Sequence, residues 1–356
     1  MTLRRSASLT TTCLAVALPL LSAVPALGAP LTAAEVLRQF NLVVLGNATS
    51  NSHVDGRSFV GGMLTGGDYV QHAGNTPASA YAGLTVAGNA SGLHVNGLGG
   101  VFGGNLVSST VNSGLSAVIG NVSGVNFNSG AWVQGGVSGT NFNGGSFATL
   151  AAAPASLQIA AAAASSTDFA SVMGNLSDAL AALPGSGSSV SFVGNKAVFT
   201  AVAVGGIAVF DVTAIDTTVF SKGEFEFVNF GSANTVIINS DESTASIAAN
   251  FLGGNAQGIG AKTIWNFRDA DTLTLNNQFG GAVLAPTAAL RNNQNIEGAV
   301  VVGSLEQYGE IHLQAFTGNL PVSPVPEPST LALMAGGLLA LAARRRALFT
   351  ARRREA

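Results

Sequence analysis

From Val43 to Phe142 the apolar residues do not follow a helical stripe. They come as short groups set in glycine, asparagine and serine, and the pattern repeats. Aligned on a glycine pair or a Gly-Asn pair, Gly46-Asn47 is followed by His53-Val54-Asp55-Gly56 and Gly88-Asn89 by His94-Val95-Asn96-Gly97. Gly104-Asn105 leads to Thr110-Val111-Asn112, Gly120-Asn121 to Asn126-Phe127-Asn128, and Gly135-Gly136 to Asn141-Phe142-Asn143. From the second unit to the fifth the steps are 16, 16 and 15 residues. Gly61-Gly62 marks a further unit, followed by an insertion over 71–83. Such a period is too short for a helical repeat or a propeller blade. It suits one coil of a β-solenoid, in which two or three brief strands are joined by tight turns.

The shared phase assigns side chains to ladders. Val54, Val95, Val111, Phe127 and Phe142 are expected to stack inside the coil, and Val44, Val86, Val118 and Val133 to form a second apolar ladder just ahead of the glycines. Asp55, Asn96, Asn112, Asn128 and Asn143 fall one position later and predict a polar ladder at a corner. Asparagine tolerates left-handed backbone there, and stacked amides can bond from rung to rung. The glycines are expected to supply positive φ at the turns.

The period changes over 150–184, an alanine-rich insert. Phe169, Val172, Met173, Leu176, Leu180 and Leu183 fall at helical spacing, Thr167 or Asp168 can cap the start, and Pro184-Gly185 ends it. One apolar stripe on a lone helix needs a surface, and the long face of the solenoid is the expected one. After the Gly/Ser linker 185–189, β-rich sequence resumes at 198–209, 225–230 and 235–239.

Both ends depart from this pattern. Arg4-Arg5, the apolar run Leu14 to Leu21 and the small-residue site Ala26-Leu27-Gly28 predict a cleaved signal peptide over 1–29. At the other end Val325-Pro326-Glu327-Pro328 precedes an uncharged apolar run, Leu331 to Ala343, then Arg344-Arg345-Arg346 and Arg352-Arg353-Arg354. The prolines stop any arriving helix. The apolar run can enter a bilayer, with the arginines held on the cytoplasmic side. A spanning helix wants about 20 apolar residues, and this core reaches about two-thirds of that without its flanks. The expected layout is an ectodomain over 30–320, a linker and Pro-Glu-Pro motif over 321–328, a transmembrane segment over 329–346 and a basic cytoplasmic tail over 347–356. The order of parts resembles the PEP-CTERM sorting signal of Gram-negative bacteria, which an exosortase reads and removes during export. The resemblance implies Pro326, Glu327, Pro328, Arg344, Arg345 and Arg346 as the sorting residues. It also implies exosortase as a partner and transient anchoring in the inner membrane. An ordinary tail anchor is the alternative.

A second resemblance covers Phe40 to Phe316. The opening reads Phe40-Asn41-Leu42-Val43-Val44-Leu45-Gly46, then Val54-Asp55-Gly56-Arg57 and Val60-Gly61-Gly62. The closing block includes Ile264-Trp265-Asn266-Phe267, Gly280-Gly281-Ala282-Val283-Leu284-Ala285-Pro286, Ile296-Glu297-Gly298, Val300-Val301-Val302-Gly303 and Ile311-His312-Leu313. This succession resembles the choice-of-anchor A domain of bacterial surface proteins, which implies an adhesive domain without assigned catalytic residues. The closing block also resembles the solenoid of ice-binding proteins. The implied fold is mostly β: a right-handed parallel β-helix with one α-helix packed along its side, flanked by the signal-peptide and C-terminal transmembrane helices.

Charge and candidate chemistry narrow the function. Outside the tails 7 basic and 16 acidic residues remain, a net charge near −9. That argues against nucleic acid, which needs a basic footprint. The one cysteine, Cys13, lies in the signal segment, so disulfides, thiolate catalysis and cysteine metal sites are excluded from the mature chain. Asp269 and Asp271, beside Arg268, are a close acidic pair near a strand, and a solvated turn is the simplest reading of them, over catalysis or calcium binding, and of Asp241-Glu242. His53, His72, His94 and His312 show no metal-ligand spacing; His53 and His94 share a rung phase and are read as structural. No cofactor and no metal is expected. The expectation is a non-enzymatic, exported surface or matrix protein that adheres to repetitive extracellular polysaccharide or another surface polymer, or to itself. An ice-binding protein, which would carry a regular threonine array, and a carbohydrate-active β-helix enzyme are the alternatives.

Overall fold

The structure, a computed structural model, describes residues 29–321. The signal segment, the sorting residues Pro326, Glu327, Pro328 and Arg344 to Arg346, and the apolar run between them lie outside the described residues. Among the described residues no helix is long and apolar enough to cross a membrane.

The described chain is mostly β and solenoid-like, built from short parallel strands on three sides. On the first side the strands stack in the order Ile207–Asp211, Thr235–Ser240, Thr263–Phe267, the start of Ala282–Asn292, the start of Val300–Gln307, Leu42–Val44, Ser58–Val60, Leu84–Val86, Gly100–Phe102, Ser116–Val118 and Ala131–Val133. Every pair is parallel. The second side runs beside it, from Thr244–Ile247 and Thr272–Leu275 through 289–292 and 304–307 to Ala48–Ser50, and then out to Val137–Ser138. The third runs from Phe279–Gly280 through Ile296–Glu297, Ile311–His312 and His53–Val54 to Asn141–Phe142.

The stack does not follow chain order, which the 16-residue period alone does not reveal. The first coil, Leu42–Val44, sits between Val300–Val302 of the last coil and Ser58–Val60 of the next. From this seam the first half winds outward to an end near Ser146. The chain then returns along the first side as helices. It starts again at the opposite end with the antiparallel hairpin Ser189–Val193 and Lys196–Thr200, and winds back to the seam. Such a path keeps both free sheet edges at the two ends, one of them closed by a hairpin.

The expectation of one packed helix is corrected to three elements on that side. Helix α1 (Ala33–Gln39) opens with a capping box between Thr32 and Glu35. Helices α2 (Ala155–Ala163) and α3 (Phe169–Ala181) are separated by a turn, and Asp168 caps α3 by accepting from the Ser171 N–H. Thr167, the other candidate cap, instead accepts from the Leu31 N–H at 2.9 Å. Phe169, Met173, Leu176 and Leu180 bury the α3 stripe against Phe59, Ile237, Ile264, Leu284 and Val301 of the first side. Phe169 stacks on Phe59 at 4.1 Å and meets Phe40 and Tyr81 edge-on. Leu157 and Ala160 of α2 cover Val101 and Ala117. Two buried asparagines fasten α3. Asn266 donates to the Ser177 carbonyl, and Asn239 donates to that of Leu180.

Inside the coil the apolar ladders stack in register, Val54 with Tyr69, Tyr69 with Val95, then Val111, Phe127 and Phe142. Phe127 is fully buried and lies 5.3 Å from Phe142. The Val44 ladder gains Val60 and Phe102. Near the hairpin end the interior is filled by aromatics: Phe199, Phe225, Phe227, Phe251, Trp265 and Phe279 are in mutual ring contact. The Trp265 indole donates to the Gly280 carbonyl at 2.9 Å, so its one polar group is satisfied.

Turn glycines do supply positive φ, but the glycines of the Gly-Asn pairs are not among them. They are needed because backbones stack at that corner: a Cβ on Gly104 would stand 2.6 Å from the Gly88 carbonyl. Positive φ occurs at the next corner, at Gly66, Gly92, Gly124 and Gly139, with Ser108 (φ 48°) in the same column.

Candidate functional site

The helices cover the first side, so two sides face solvent. On the second, the strand pattern alternates. Ala48, Leu64, Ala90, Leu106 and Val122 point inward and are buried. The residues after them point out. In register they form one column: Ser246, Thr274, Arg291, Glu306, Thr49, Thr65, Ser91, Val107, Ser123 and Ser138. Strands stack about 4.8 Å apart, so this is a row of short side chains at a fixed repeat. Among the described residues the hydroxyls of Thr49, Thr65, Ser91, Ser123 and Ser138 have no hydrogen-bond partner. Near the middle Arg291 pairs with Glu306 at 3.1 Å and lies over the exposed Tyr308 ring at 4.6 Å.

The third side is polar but self-satisfied in its outer half. Asn112 donates to Asn96 at 2.7 Å, Asn128 to Asn112 at 3.2 Å, and Asn143 to Asn128 at 2.8 Å. A parallel bond joins Asn141 to Asn126. Asp55, placed in this ladder by phase, is not part of it, because Val70 occupies the intervening rung. A further asparagine ladder escaped the sequence reading although its Gly-Asn pairs define the repeat. Asn47, Asn89, Asn105 and Asn121 each accept a backbone N–H from the next rung.

All four histidines lie on the inner half of the third side, each beside a carboxylate. His94 Nδ1 is 2.8 Å from Asp68, which lies between His94 and His53. His53 and His94 therefore do not meet across the intervening coil. Instead His53 Nε2 approaches Glu310 Oε2 at 3.6 Å and Asp55 Oδ1 at 3.7 Å. His312 Nε2 lies 2.7 Å from Glu310 Oε2, and its Nδ1 lies 2.7 Å from Glu297 Oε1. Burial alone would lower the His312 pKa, but the bonds to Glu310 and Glu297 outweigh it and the net shift is upward. Asp55 is buried; its Oδ2 accepts from the Leu313 N–H and faces His72 at 3.2 Å, and its Oδ1 has no hydrogen-bond partner. His53 and Asp55 belong to the first coil, and Glu310 and His312 to the last.

The two acidic pairs noted in the sequence lie near enough for Asp269 to act on Asp241. Arg268 reaches across to Asp178 of α3 at 2.8 Å and to Asp269 at 3.9 Å, all on the surface. Asp241 is shifted upward by burial and by the neighbouring Asp216, while Glu242 accepts from Thr217. Asp216 itself accepts from Ser240 at 2.8 Å.

A family model described as a putative ice-binding-like adhesive domain matches residues 33–313, and a PEP-CTERM protein-sorting motif matches residues 324–346. Searches of curated proteins and of solved structures gave no match. The motif implies processing by exosortase, and the two matches together mark an exported, cell-surface protein. With a match over most of its length, the chain belongs to the ice-binding-like adhesive domain family.

Proposed function

We propose that this protein is a non-catalytic adhesin that binds a repetitive extracellular polysaccharide through its second side. The observation that carries this reading is the column of unpartnered hydroxyls, Thr49, Thr65, Ser91, Ser123 and Ser138. The asparagine side spends its amides on neighbouring rungs, and the helix side is covered. Hydroxyls at a fixed repeat match a polymer with a fixed repeat, and linked weak contacts multiply through effective concentration. The finer reading is a choice-of-anchor A domain on a right-handed coil. It rests on the motifs at 40–62 and 264–313 and on the usual hand of parallel crossovers. The tail then holds the protein transiently in the inner membrane before exosortase acts. Self-association through the same row is the neighbouring possibility.

The test is a binding series with matrix polysaccharides of increasing length. Affinity should climb steeply with length and be poor for monosaccharides. A Thr65→Arg/Ser91→Arg variant should lose binding, while Asn143→Arg on the other open side should keep it. Shortened products that vanish on Asp269→Ala or Asp271→Ala would replace the adhesin with a carbohydrate-cleaving enzyme.

A second reading, ice binding, is favoured by the same row, since small hydroxyl-bearing side chains at regular spacing also suit an ordered water lattice. Val107, Arg291 and Glu306 interrupt it. Thermal hysteresis measured on the purified protein decides between the two.

A further inference from the structure

We infer that His53, His312, Glu310 and Asp55 form a binding site for a zinc-like divalent metal ion at the seam between the first and last coils. The ligand set is the first argument. His53, Glu310 and His312 each offer a ligand atom, and these atoms lie within 4.8 Å of one another. Zinc bonds of about 2.0–2.1 Å in a tetrahedron set ligand atoms roughly 3.3 Å apart. His53 Nε2 stands 3.6 Å from Glu310 Oε2 and 3.7 Å from Asp55 Oδ1, and His312 Nε2 stands 2.7 Å from Glu310 Oε2. An ion would take the place of the proton shared by His312 and Glu310, with a small outward shift of that pair.

Two independent observations point to a ligand. Asp55 Oδ1 is buried, has no hydrogen-bond partner and faces the His53 imidazole. An orphaned carboxylate oxygen is costly unless something charged meets it. Second, Glu297, itself buried, accepts from His312 Nδ1 while also accepting from Gln278 at 2.7 Å. A carboxylate on the far nitrogen holds the ring so that Nε2, once the proton it shares with Glu310 has left, would face an ion, the arrangement that orients metal-bound histidines. The half-exposed His53, His312 and Glu310 leave a way in from solvent. Two imidazoles with two carboxylates suit zinc and its neighbours, whereas calcium and magnesium prefer oxygen alone.

The ligands come from opposite ends of the domain sequence, so an ion would fasten the first coil to the last. It would act as a staple across a long chain loop.

The test uses the full chain, stripped with a chelator and dialysed against Zn²⁺ or Co²⁺, with Mg²⁺ and Ca²⁺ in parallel. One zinc per chain should bind, cobalt should give the intense visible bands of tetrahedral coordination, and zinc should raise Tm. His53→Gln and His312→Gln should each weaken zinc binding by at least about 100-fold, and Glu297→Gln by about 10–100-fold. Glu310→Gln, nearly isosteric, keeps the readout available if a histidine variant folds poorly. His94→Gln, outside the cluster, should bind like the parent. Zinc bound equally by His53→Gln and Glu310→Gln, or no stoichiometric zinc in the parent, would overturn the assignment.

Discussion

Ser50 donates a 2.7 Å hydrogen bond to the side chain of Gln307, 257 positions away, and both residues are buried. The same Gln307 amide donates to the backbone carbonyls of His53 and Gly309. One side chain therefore fastens the first coil to the last from within. Gln307→Leu should remove all three of these bonds, with Ser50 left to Ser52 and the Gly309 carbonyl left to Asn292. The expected cost is about 2–4 kcal/mol, read from the urea midpoint at unchanged slope.

The interior ladder and the corner ladder should differ in weight. Phe127→Asp would place a carboxylate in the apolar stack and cost several kcal/mol by order of magnitude. Asn128→Ala removes two amide bonds that face solvent, and should cost about 1 kcal/mol. Thermal melts of the two variants would refute the phase assigned here if they gave equal losses.

Ser108 holds φ 48° in a column otherwise made of glycine at Gly66, Gly92, Gly124 and Gly139. Ser108→Gly should therefore stabilise the protein, by about 0.5–1 kcal/mol, since left-handed backbone costs a residue with a Cβ about 1–2 kcal/mol and glycine returns some of this as chain entropy. Gly92→Ala meets open space, so any loss there reports φ alone. Opposite signs for the two variants in one melt series are the expected outcome.

Processing should depend on the Pro-Glu-Pro motif within the match at 324–346. Changing Pro326, Glu327 and Pro328 together to alanine should leave the tail uncut. Intact mass of the exported protein, compared with cells lacking exosortase, measures this. A mature C-terminus beyond Arg346 in every strain would contradict it.

The coil repeat was legible because each rung reuses one corner. Glycine is required wherever backbones stack, as at Gly104 against Gly88, and asparagine wherever one rung must hand a bond to the next. In the second half the rungs are of unequal length, and the aromatic interior around Trp265 hides the period. The order of the rungs was not legible. Nothing local to Leu42 records that its neighbour is Val300. The histidine cluster was missed for the same reason. Motif spacing finds ligands that share a helix or a turn, whereas His53 and His312 meet only after the whole domain has wound out and back. The break between α2 and α3 falls at Ser165 to Asp168, where a capping residue marks the second of two helices as readily as the start of a lone one.

The described C-terminal segment leaves the seam on the helix-covered side. Phe316 is buried there, Arg38 of α1 donates to the Gly318 carbonyl at 3.2 Å, and Asn319 exchanges bonds with Thr235 at 2.8 Å. A pull on the tail thus enters the body beside Thr235, one rung from the end strand Ile207–Asp211 of the first side. The segment is attached at the back, like a handle set toward the hairpin end. Tension loads the second half first, through Thr235 and Ala261, and reaches the seam at Phe316 and Leu37 only when those bonds give.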